Sequence, residues 1–436
     1  MKTLLRFGSV YLVALMCPSL ATADQKQANQ ATLEQLELFA DAYSIVRENY
    51  IEDLTDAEIM EGAINGALES LDPHSSYVPE QAYEERQKNA RREYGGLGIE
   101  VTLEDGLVKV NYVIPGGPAD KQGLKRGEFI TAVEGEEIFG KTLDEAVSGM
   151  RGLEGDPINV TVKAEDSTTR ELTIVREVVS GRAVRHRVED GVGYIYIETF
   201  NHPRLSVDVK AAIEDLKSNF SGTLPGLVID VRSNPGGRVD QVVKVTDYFL
   251  DGGEVFSSRA RDRQDTRRYH AQDGQLVDGV PIVVLINSQS ASAAEIIAGA
   301  LQDRNRALVI GRRSFGKGSV QSIIQLPGGG ALRLTTERYY TPSGHSIQGL
   351  GIMPDVLVAG SPESDTIKKR FRESNLQNAL SNPNTAEIEE DFSIMDFPSE
   401  EWPSDEDYQL AKAVELVKSP LYENRLAQKN VPLRLP

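Results

Sequence analysis

Three serines lie close together at residues 288–292, in the string "INSQSASAAEIIAGALQ" (Ile286–Gln302). The string follows the apolar run "PIVVLIN" (Pro281–Asn287) and continues with helical spacing, which predicts a strand-to-helix corner. Small residues allow another backbone to approach, and a helix beginning near Ser292 directs its N-terminal dipole at the corner. A serine hydroxyl is a weak nucleophile until a base removes its proton, so the chemistry depends on a base elsewhere in the chain.

The histidines do not supply an obvious base. They are scattered, and none belongs to a nucleophile elbow, a His-based triad or the H-E-x-x-H pattern of a zinc protease. We therefore interpret the five as ordinary polar or core residues: His74, His186, His202, His270 and His345.

A lysine is the alternative base. Lys317 lies in "GRRSFGKGSVQ" (Gly311–Gln321), which contains two arginines and no Asp or Glu. To act near neutral pH, its pKa must fall by roughly 3 units from about 10.4, a change of about 4 kcal/mol that burial and neighbouring positive charge favour. If "SVQSIIQL" is a strand, Gln321 falls on the same face as Lys317 and could orient the amine. A Gly-rich turn with a surface lysine is the plain alternative.

A third string offers backbone donors. "IDVRSNPGGRVD" (Ile229–Asp240) places Asn-Pro-Gly-Gly between an apolar strand and a predicted helix. Such a turn leaves backbone N–H groups without partners, and these suit a developing oxyanion. Alone, this string predicts only a turn, just as the serine string alone predicts a tightly packed helix of small residues.

The first half of the chain contains two kinds of element. Helical spacing from Leu33 to about Arg92, interrupted by the turn "LDPHSSYVP", predicts a helical N-terminal region. Short β-branched runs between Gly-rich turns, with a helix near "TLDEAVSGMR", then predict a small β-rich module.

The second half alternates strands and helices in the α/β manner and then becomes acidic. Helices are predicted around Val207–Asn219 and Val239–Phe249, a mobile linker over Asn375–Asp407, and a closing amphipathic helix at "YQLAKAVELVK". The predicted limits are 1–23 for a signal peptide, 24–93 for the helical region, 94–178 for the β-rich module, 179–358 for the α/β domain and 359–436 for the acidic C-terminal region.

Composition and the N-terminus restrict the partners and the compartment. The 436 residues carry a net charge of −19, which argues against nucleic acid as a partner. Lys2 and Arg6 precede the apolar segment Phe7–Met16, and "ATA" (Ala21–Ala23) resembles a cleavage site, so export to the periplasm is predicted. Cys17, the only cysteine, is not expected to carry a lipid anchor, because a bulky methionine precedes it.

The strings together resemble one family. "SASAAEI", "FGKGSVQ" and "DVRSNPGG", placed behind "GLGIEV" and "PGGPADKQGLKRGE", are similar to the carboxyl-terminal processing proteases, also called tail-specific proteases. The resemblance covers about Leu33 to Val358. It implies a multi-domain fold with a helical N-terminal arm, a PDZ-like domain and a ClpP/crotonase-like α/β peptidase core, followed here by the acidic C-terminal region. It further implies a homo-oligomer (a dimer or a multiple of dimers), with an adaptor protein as a further candidate partner, and no metal or organic cofactor.

The resemblance also assigns roles to residues. Ser292, the second serine of "SASA", matches the family's nucleophile, Lys317 its general base and Gln321 the residue that positions the lysine. The oxyanion hole corresponds to Gly236 and Gly237 with the N–H of Ala293, without a decision on which glycine donates. A departure is Ala294, where many relatives have another serine.

The β-rich module resembles a PDZ domain. "GGLGIEV" (Gly95–Val101) matches the loop whose backbone N–H groups bind a free C-terminus while the peptide adds as a strand. The expected contacts are Gly96, Leu97, Gly98 and Ile99. Glu128 replaces a frequent Asp, and Gly116–Gly117 replace a more usual Ser.

The resulting prediction is a periplasmic serine endopeptidase that recognises protein C-termini and cleaves peptide bonds by a Ser-Lys-Gln mechanism. A non-catalytic peptide-binding scaffold on a degenerate protease fold is the alternative from another class. A crotonase-like acyl-transfer enzyme would share the α/β layout, but it explains neither the PDZ-like segment nor the lysine loop.

Overall fold

The computed structural model describes residues 19–84, 94–104, 106–114, 116–164, 167–178, 183–262, 264–360, 372–383, 395–399, 401–403, 406–420 and 422–427. The chain divides into two compact units, Met1–Ala67 and Leu68–Pro436. Most of the predicted signal peptide lies outside the described residues.

The first unit is helical where it is described. Helix α1 (Ser19–Asn49) is followed by α2 (Asp56–Glu69), whose start is capped because Glu58 accepts a hydrogen bond from the Thr55 N–H at 2.8 Å. Several apolar side chains of α1 are exposed, namely Leu33, Leu36, Leu38, Phe39, Ile45 and Val46. Among the residues described, no helix combines the length and apolar character needed to cross a membrane.

The turn predicted after α2 leads into a strand that the sequence pattern does not predict. Asp72 accepts hydrogen bonds from the N–H groups of His74 (2.8 Å) and Ser75 (3.0 Å), which closes the turn. Strand β1 (Ser76–Val78) then pairs antiparallel with residues 331–333 of the peptidase domain. This pairing partner lies about 255 residues away in the sequence, so local spacing could not indicate it.

The PDZ-like module is an antiparallel sheet with its own core. Its largest sheet has the order β3-β4-β5-β8-β9, with β6 paired to β5, and the strands alternate buried and exposed residues as in Pro157–Lys163. The elements are β2 (Tyr94–Gly96), β3 (Ile99–Glu104), β4 (Leu107–Val113), α3 (Pro118–Lys121), β5 (Phe129–Val133), β6 (Glu136–Glu137), α4 (Leu143–Met150), β7 (Gly152–Leu153), β8 (Pro157–Lys163), β9 (Thr169–Val175) and β10 (Glu177–Val178). Strand β3 lies at the edge of this sheet, so one side of it is open to an added strand.

The peptidase domain is built on a six-stranded sheet of order β11-β12-β13-β16-β17-β20, parallel except for β11. Its central strands are apolar and buried on both faces, which is typical of a parallel sheet covered on both sides. The elements are β11 (Val184–Glu189), β12 (Val192–Ile197), α5 (Leu205–Asn219), β13 (Leu227–Asp230), α6 (Val239–Asp247), β14 (Gly253–Ala260), β15 (Thr266–Ala271), β16 (Ile282–Ile286), α7 (Ala293–Asp303), β17 (Leu308–Gly311), β18 (Ser319–Gln325), β19 (Ala331–Tyr340) and β20 (Val356–Leu357). A second sheet joins β1, β19, β14 and β15, with β18 on the other edge of β19.

The C-terminal region covers the second face of the parallel sheet. Helix α8 (Tyr408–Lys418) buries Ala413 and Val414 against strand residues such as Val228, and a short helix α9 (Tyr422–Ala427) follows it. Helices α5, α6 and α7 cover the opposite face. The sheet is therefore a middle layer, and its carboxyl edge carries the serine string.

The predicted linker is wrong where the structure describes it. Within the predicted range, Asn382 donates a hydrogen bond to the carbonyl of Ser346 at 3.0 Å. Just before that range, Glu373 begins a 3₁₀ turn (Glu373–Asn375) and is fully buried. Further on, Asp396 forms a parallel bridge with Val358. Acidic composition predicts solvation, but these residues find polar partners in distant parts of the chain.

Candidate active site

The serine string forms the predicted corner between β16 and α7. Ser292 immediately precedes α7 and has φ 55° and ψ −113°. Residues other than glycine rarely adopt this backbone conformation. It is partly exposed. The strained turn thus places this hydroxyl at the N-terminus of a helix, where the helix dipole favours the negative charge that a serine oxygen gains as it loses its proton.

The neighbouring serine has a different environment. Ser290 is fully buried, and its hydroxyl donates to the carbonyl of Val231 at 2.7 Å and accepts from the N–H of Asn287 at 3.0 Å. These contacts tie the serine loop to the strand that precedes the Asn-Pro-Gly-Gly turn. Ser290 therefore stabilises the corner, and Ser292 is the better placed of the two for chemistry.

Glu295 connects the nucleophile segment with the lysine loop. Its carboxylate accepts hydrogen bonds from the N–H groups of Ser292 (2.7 Å), Gly316 (2.7 Å) and Lys317 (2.9 Å) and from the hydroxyl of Ser314 (2.6 Å). Sequence reasoning missed this residue, because the glutamate of "SASAAEI" looks like an ordinary first-turn residue of a helix. The main chains at positions 292 and 317 are therefore held by the same carboxylate, that of Glu295, which acts as their common anchor.

Lys317 is partly buried beside charges of both signs. Burial and the Arg333 guanidinium lower the pKa of its amine, whereas the carboxylates of Glu373, Glu295 and Asp72 oppose that lowering. The lysine loop itself contains no Asp or Glu, so these three carboxylates come from other segments of the chain. In the described part of the chain, no hydrogen bond joins the Lys317 amine to the Ser292 hydroxyl.

The strand register and hydrogen bonds direct the Gln321 amide nitrogen toward partners other than the predicted Lys317 amine. The β18–β19 register shifts between Val320 and Gln321, and the Gln321 amide donates to the hydroxyls of Ser319 (3.0 Å) and Thr335 (3.2 Å). A register shift changes the direction of the following side chains, and sequence alternation alone does not reveal it. Among described residues, Gln321 forms no hydrogen bond with Lys317.

The Asn-Pro-Gly-Gly turn lies against Ser292. The Gly236 N–H already donates to the side-chain oxygen of Asn234 at 2.8 Å, and the Asn234 carbonyl accepts from the N–H of Ala291 at 2.9 Å. Within the described ranges, the N–H groups of Gly237 and Ala293 donate no hydrogen bond. Of the two glycines, Gly237 is thus the one with a donor available for an oxyanion.

Replacing Gly236 by alanine should test this contact. A Cβ atom there would lie 2.8 Å from the Ser292 Cβ and 2.9 Å from the Ala293 nitrogen, and the residue has φ +97°. We expect Gly236→Ala to lower kcat by about 100-fold, because the nucleophile segment must move. Peptide hydrolysis and melting temperature should be measured for Gly236→Ala and for Gly222→Ala, where φ is +100° but nothing lies within 4 Å. Equal losses in both variants would show that backbone strain, and not contact with Ser292, causes the effect.

The PDZ-like loop has the features of a carboxylate-binding site. Gly98 has φ +75°, Leu97 is buried, and among the residues described the N–H groups of both donate no backbone hydrogen bond. Ile99 begins the edge strand β3, whereas Gly96 ends β2. Partly buried apolar side chains of β3 and α4 pack on the module's core, namely Ile99, Val101, Leu143 and Val147.

A metal site was not found in the described residues. There, no group of three or more His, Cys, Asp and Glu side chains could hold a metal ion.

Three family models match the chain. Peptidase family S41 matches residues 191–358, the PDZ domain residues 109–163, and the N-terminal domain of the activating protease CtpB residues 13–82. These matches fall on the peptidase domain, the PDZ-like module and the helical N-terminal region.

Several named proteins are similar to this chain. A carboxy-terminal-processing protease of Bartonella bacilliformis is 46% identical over 362 residues, which are 82% of each chain. A probable CtpA-like serine protease of Staphylococcus aureus is 32% identical over 335 residues, covering 76% of this chain and 66% of that protein. Among solved structures, the photosystem II D1 C-terminal processing protease has a TM-score of 0.45 and 26% identity, covering 79% of this chain and 98% of that one.

The family assignment therefore rests on sequence identity over most of the chain. It agrees with the resemblance deduced from the motifs, and it removes the non-catalytic scaffold and the acyl-transfer enzyme as leading interpretations. The chain belongs to the carboxy-terminal-processing proteases of peptidase family S41, and it is a serine-type peptidase.

Proposed function

We propose that this peptidase cleaves peptide bonds with Ser292 as nucleophile and Lys317 as general base. One observation carries the proposal: the N–H groups of Ser292 and Lys317 donate to the same Glu295 carboxylate, so the two segments are held side by side. The lowered pKa of Lys317 favours the neutral amine that a base requires. Hydrogen bonds of a catalytic pair are often formed only when substrate binds, so the separated side chains are compatible with this role.

In the proposed reaction, the neutral Lys317 amine takes the Ser292 proton as the hydroxyl oxygen attacks the scissile carbonyl carbon. The N–H groups of Ala293 and Gly237 donate hydrogen bonds to the carbonyl oxygen and stabilise the negative charge that develops on it. The Lys317 ammonium then protonates the leaving amine, and an acyl-enzyme remains on Ser292. Water attacks the ester with Lys317 again as base, which releases the new carboxyl end and restores the serine. Gln321 would orient the Lys317 amine through its Oε1, because the hydrogen bonds to Ser319 and Thr335 use only its Nε2.

We also propose that the PDZ domain selects substrates by a free C-terminus. The unused N–H groups of Leu97 and Gly98 support this, since consecutive backbone donors suit a carboxylate. The open edge of β3 can accept the peptide as an added strand, and tethering raises the local concentration of the tail near the peptidase domain.

Binding of a free-acid peptide and its amidated form should differ. Amidation removes the anion that the loop donors recognise, so we expect about tenfold to a hundredfold weaker binding, or about 1–3 kcal/mol. Calorimetry on full-length Ser292→Ala would measure binding without cleavage, using peptides with an apolar last residue to suit the partly buried apolar side chains of β3 and α4. Equal affinities for the two peptides would leave substrate selection to the peptidase domain.

Finally, we propose that the chain is exported to the periplasm and acts as a homo-oligomer. The N-terminal charges, the apolar segment Phe7–Met16 and the "ATA" string support export, and the exposed apolar residues of α1 support self-association. Cell fractionation and N-terminal sequencing would check the first proposal, and light scattering the second. A full-length product in the cytoplasm would contradict export, and a monomer in solution would contradict the homo-oligomer.

A further inference from the structure

Glu295 occupies an unusual position for an ionisable side chain. It is fully buried in the first turn of α7, and burial raises its pKa to about 7, although four hydrogen bonds oppose that change. Two of its donors come from the lysine loop's backbone, one from Ser314 and one from the nucleophile itself. A carboxylate that served only to cap the helix would need the Ser292 N–H alone.

Each oxygen of the carboxylate has a separate task. Oε1 accepts from the Ser314 hydroxyl and the Gly316 N–H, whereas Oε2 accepts from the N–H groups of Ser292 and Lys317. The Glu295 Oε2 atom therefore accepts from the main chain of both the proposed nucleophile, Ser292, and the proposed base, Lys317. Both bonds hold main chain, so they fix where the two side chains begin and leave their ends free to react.

The anchor also supports a strained backbone. Ser292 has a positive φ, and such a conformation persists only when its surroundings impose it. The Ser292 N–H bond to Glu295 at 2.7 Å is joined by the bond from the Glu295 N–H to the Ser292 carbonyl at 2.9 Å. Loss of the carboxylate would therefore release the turn that presents the nucleophile.

We propose that Glu295 is a positioning residue of this peptidase: its ionised carboxylate holds the main chains of Ser292 and Lys317 in the relative placement that the reaction needs. This inference rests on the proposed Ser292–Lys317 mechanism. It assigns to Glu295 no contact with substrate.

An amide at this position cannot replace the carboxylate. Glutamine has one acceptor oxygen and an NH₂ group, which would face backbone N–H donors and leave at least one without a partner. Its neutral side chain would also remove a negative charge that acts on Lys317. Two separate effects follow, one on geometry and one on titration.

The titration effect has a definite sign. The charged groups acting on Lys317 are Arg333, which lowers its pKa, and Glu373, Glu295 and Asp72, which raise it. Without the Glu295 charge, the pKa of Lys317 falls further, and neutral amine is present at lower pH. Because glutamine does not titrate, the ionisation of Glu295 also no longer contributes to the dependence of the rate on pH. The midpoint of the rate–pH curve should therefore move to lower pH in Glu295→Gln.

The experiment compares full-length wild type, Glu295→Gln, Glu295→Asp and the matched control Glu58→Gln. Glu58 also accepts the N–H of the residue before its helix, at 2.8 Å, but in the N-terminal helical region. Hydrolysis of a fluorogenic peptide at a series of pH values gives kcat, KM and the midpoint. Melting temperature and circular dichroism report the fold.

We expect Glu295→Gln to lower kcat by about 100-fold with little change in KM, because substrate binding is not touched. Its midpoint should fall, whereas Glu295→Asp, shorter but still charged, should lower kcat and keep the midpoint near that of wild type. Glu58→Gln should retain wild-type values of kcat and midpoint.

A folded Glu295→Gln enzyme with wild-type kcat, or with a reduced kcat and an unmoved midpoint, would overturn the positioning role. If Glu295→Gln does not fold, the kcat of Glu295→Asp becomes the test. A wild-type kcat in Glu295→Asp would overturn the positioning role of Glu295 as well. Failure of the underlying mechanism is distinguishable, because it would appear as activity in Ser292→Ala or Lys317→Arg whatever the Glu295 variants do.

Discussion

Peptide hydrolysis should fall by at least about 10⁴-fold in Ser292→Ala, because the variant loses the atom that bonds to the substrate carbonyl carbon. The change removes one oxygen and leaves the Ser292 main-chain bonds to Glu295 intact, so the folded structure should persist. The measurement is the rate of fluorogenic peptide cleavage, accompanied by the melting temperature.

The neighbouring serines are the controls for this result. Ser288→Ala should keep most of the activity. Ser290→Ala removes a buried hydroxyl that donates to Val231, so it should lower the melting temperature and reduce activity only as far as the corner shifts. Retained activity in Ser292→Ala, or loss of chemistry in Ser288→Ala alone, would place the nucleophile elsewhere.

Replacing Lys317 by arginine should reduce kcat by about 10³-fold, since a guanidinium keeps its proton at any accessible pH. In the wild type, the pKa of Lys317 is lowered by burial and by Arg333, so the neutral amine forms at lower pH than for an ordinary lysine. The rate should therefore rise as pH increases through that lowered pKa and then level off. Lys317→Arg should show no such rise.

A surface exchange of the same kind provides the control. Lys210 lies on α5 and is exposed, with Glu214 at 4.0 Å as its ion-pair partner among the described residues, and Lys210→Arg should preserve both kcat and the pH profile. Substantial hydrolysis by Lys317→Arg would mean that another group removes the serine proton.

The parts of the site that could be predicted are those encoded within short strings. The corner at Ser292, the lysine loop and the Asn-Pro-Gly-Gly turn each depend on local residue types, and helices α4, α6 and α8 begin within a residue or two of the expected positions. The family resemblance used the same local strings. Local patterns therefore carried the fold class, which the family matches confirm, and they led to Ser292 as the predicted nucleophile.

The parts that were missed depend on contacts between distant segments. Asp72 and Glu373 act on the Lys317 amine from positions about 245 residues before and 56 residues after it, and no local spacing links them. The Glu373 carboxylate also meets the His74 ring at 2.9 Å, so a histidine interpreted as ordinary lies in the polar surroundings of the base. Likewise, the choice between Gly236 and Gly237 required the Asn234 hydrogen bond.

For Ser292 as the proposed nucleophile, the left-handed backbone places catalysis and folding stability in conflict at a single position. A conformation of this kind costs about 1–3 kcal/mol for a residue with a side chain and much less for glycine. An inactive glycine variant could therefore be more thermostable than the active enzyme. A mutant library ranked by melting temperature alone would therefore enrich inactive glycine variants at this position. Serine would be retained during evolution only where selection also acts on peptide hydrolysis.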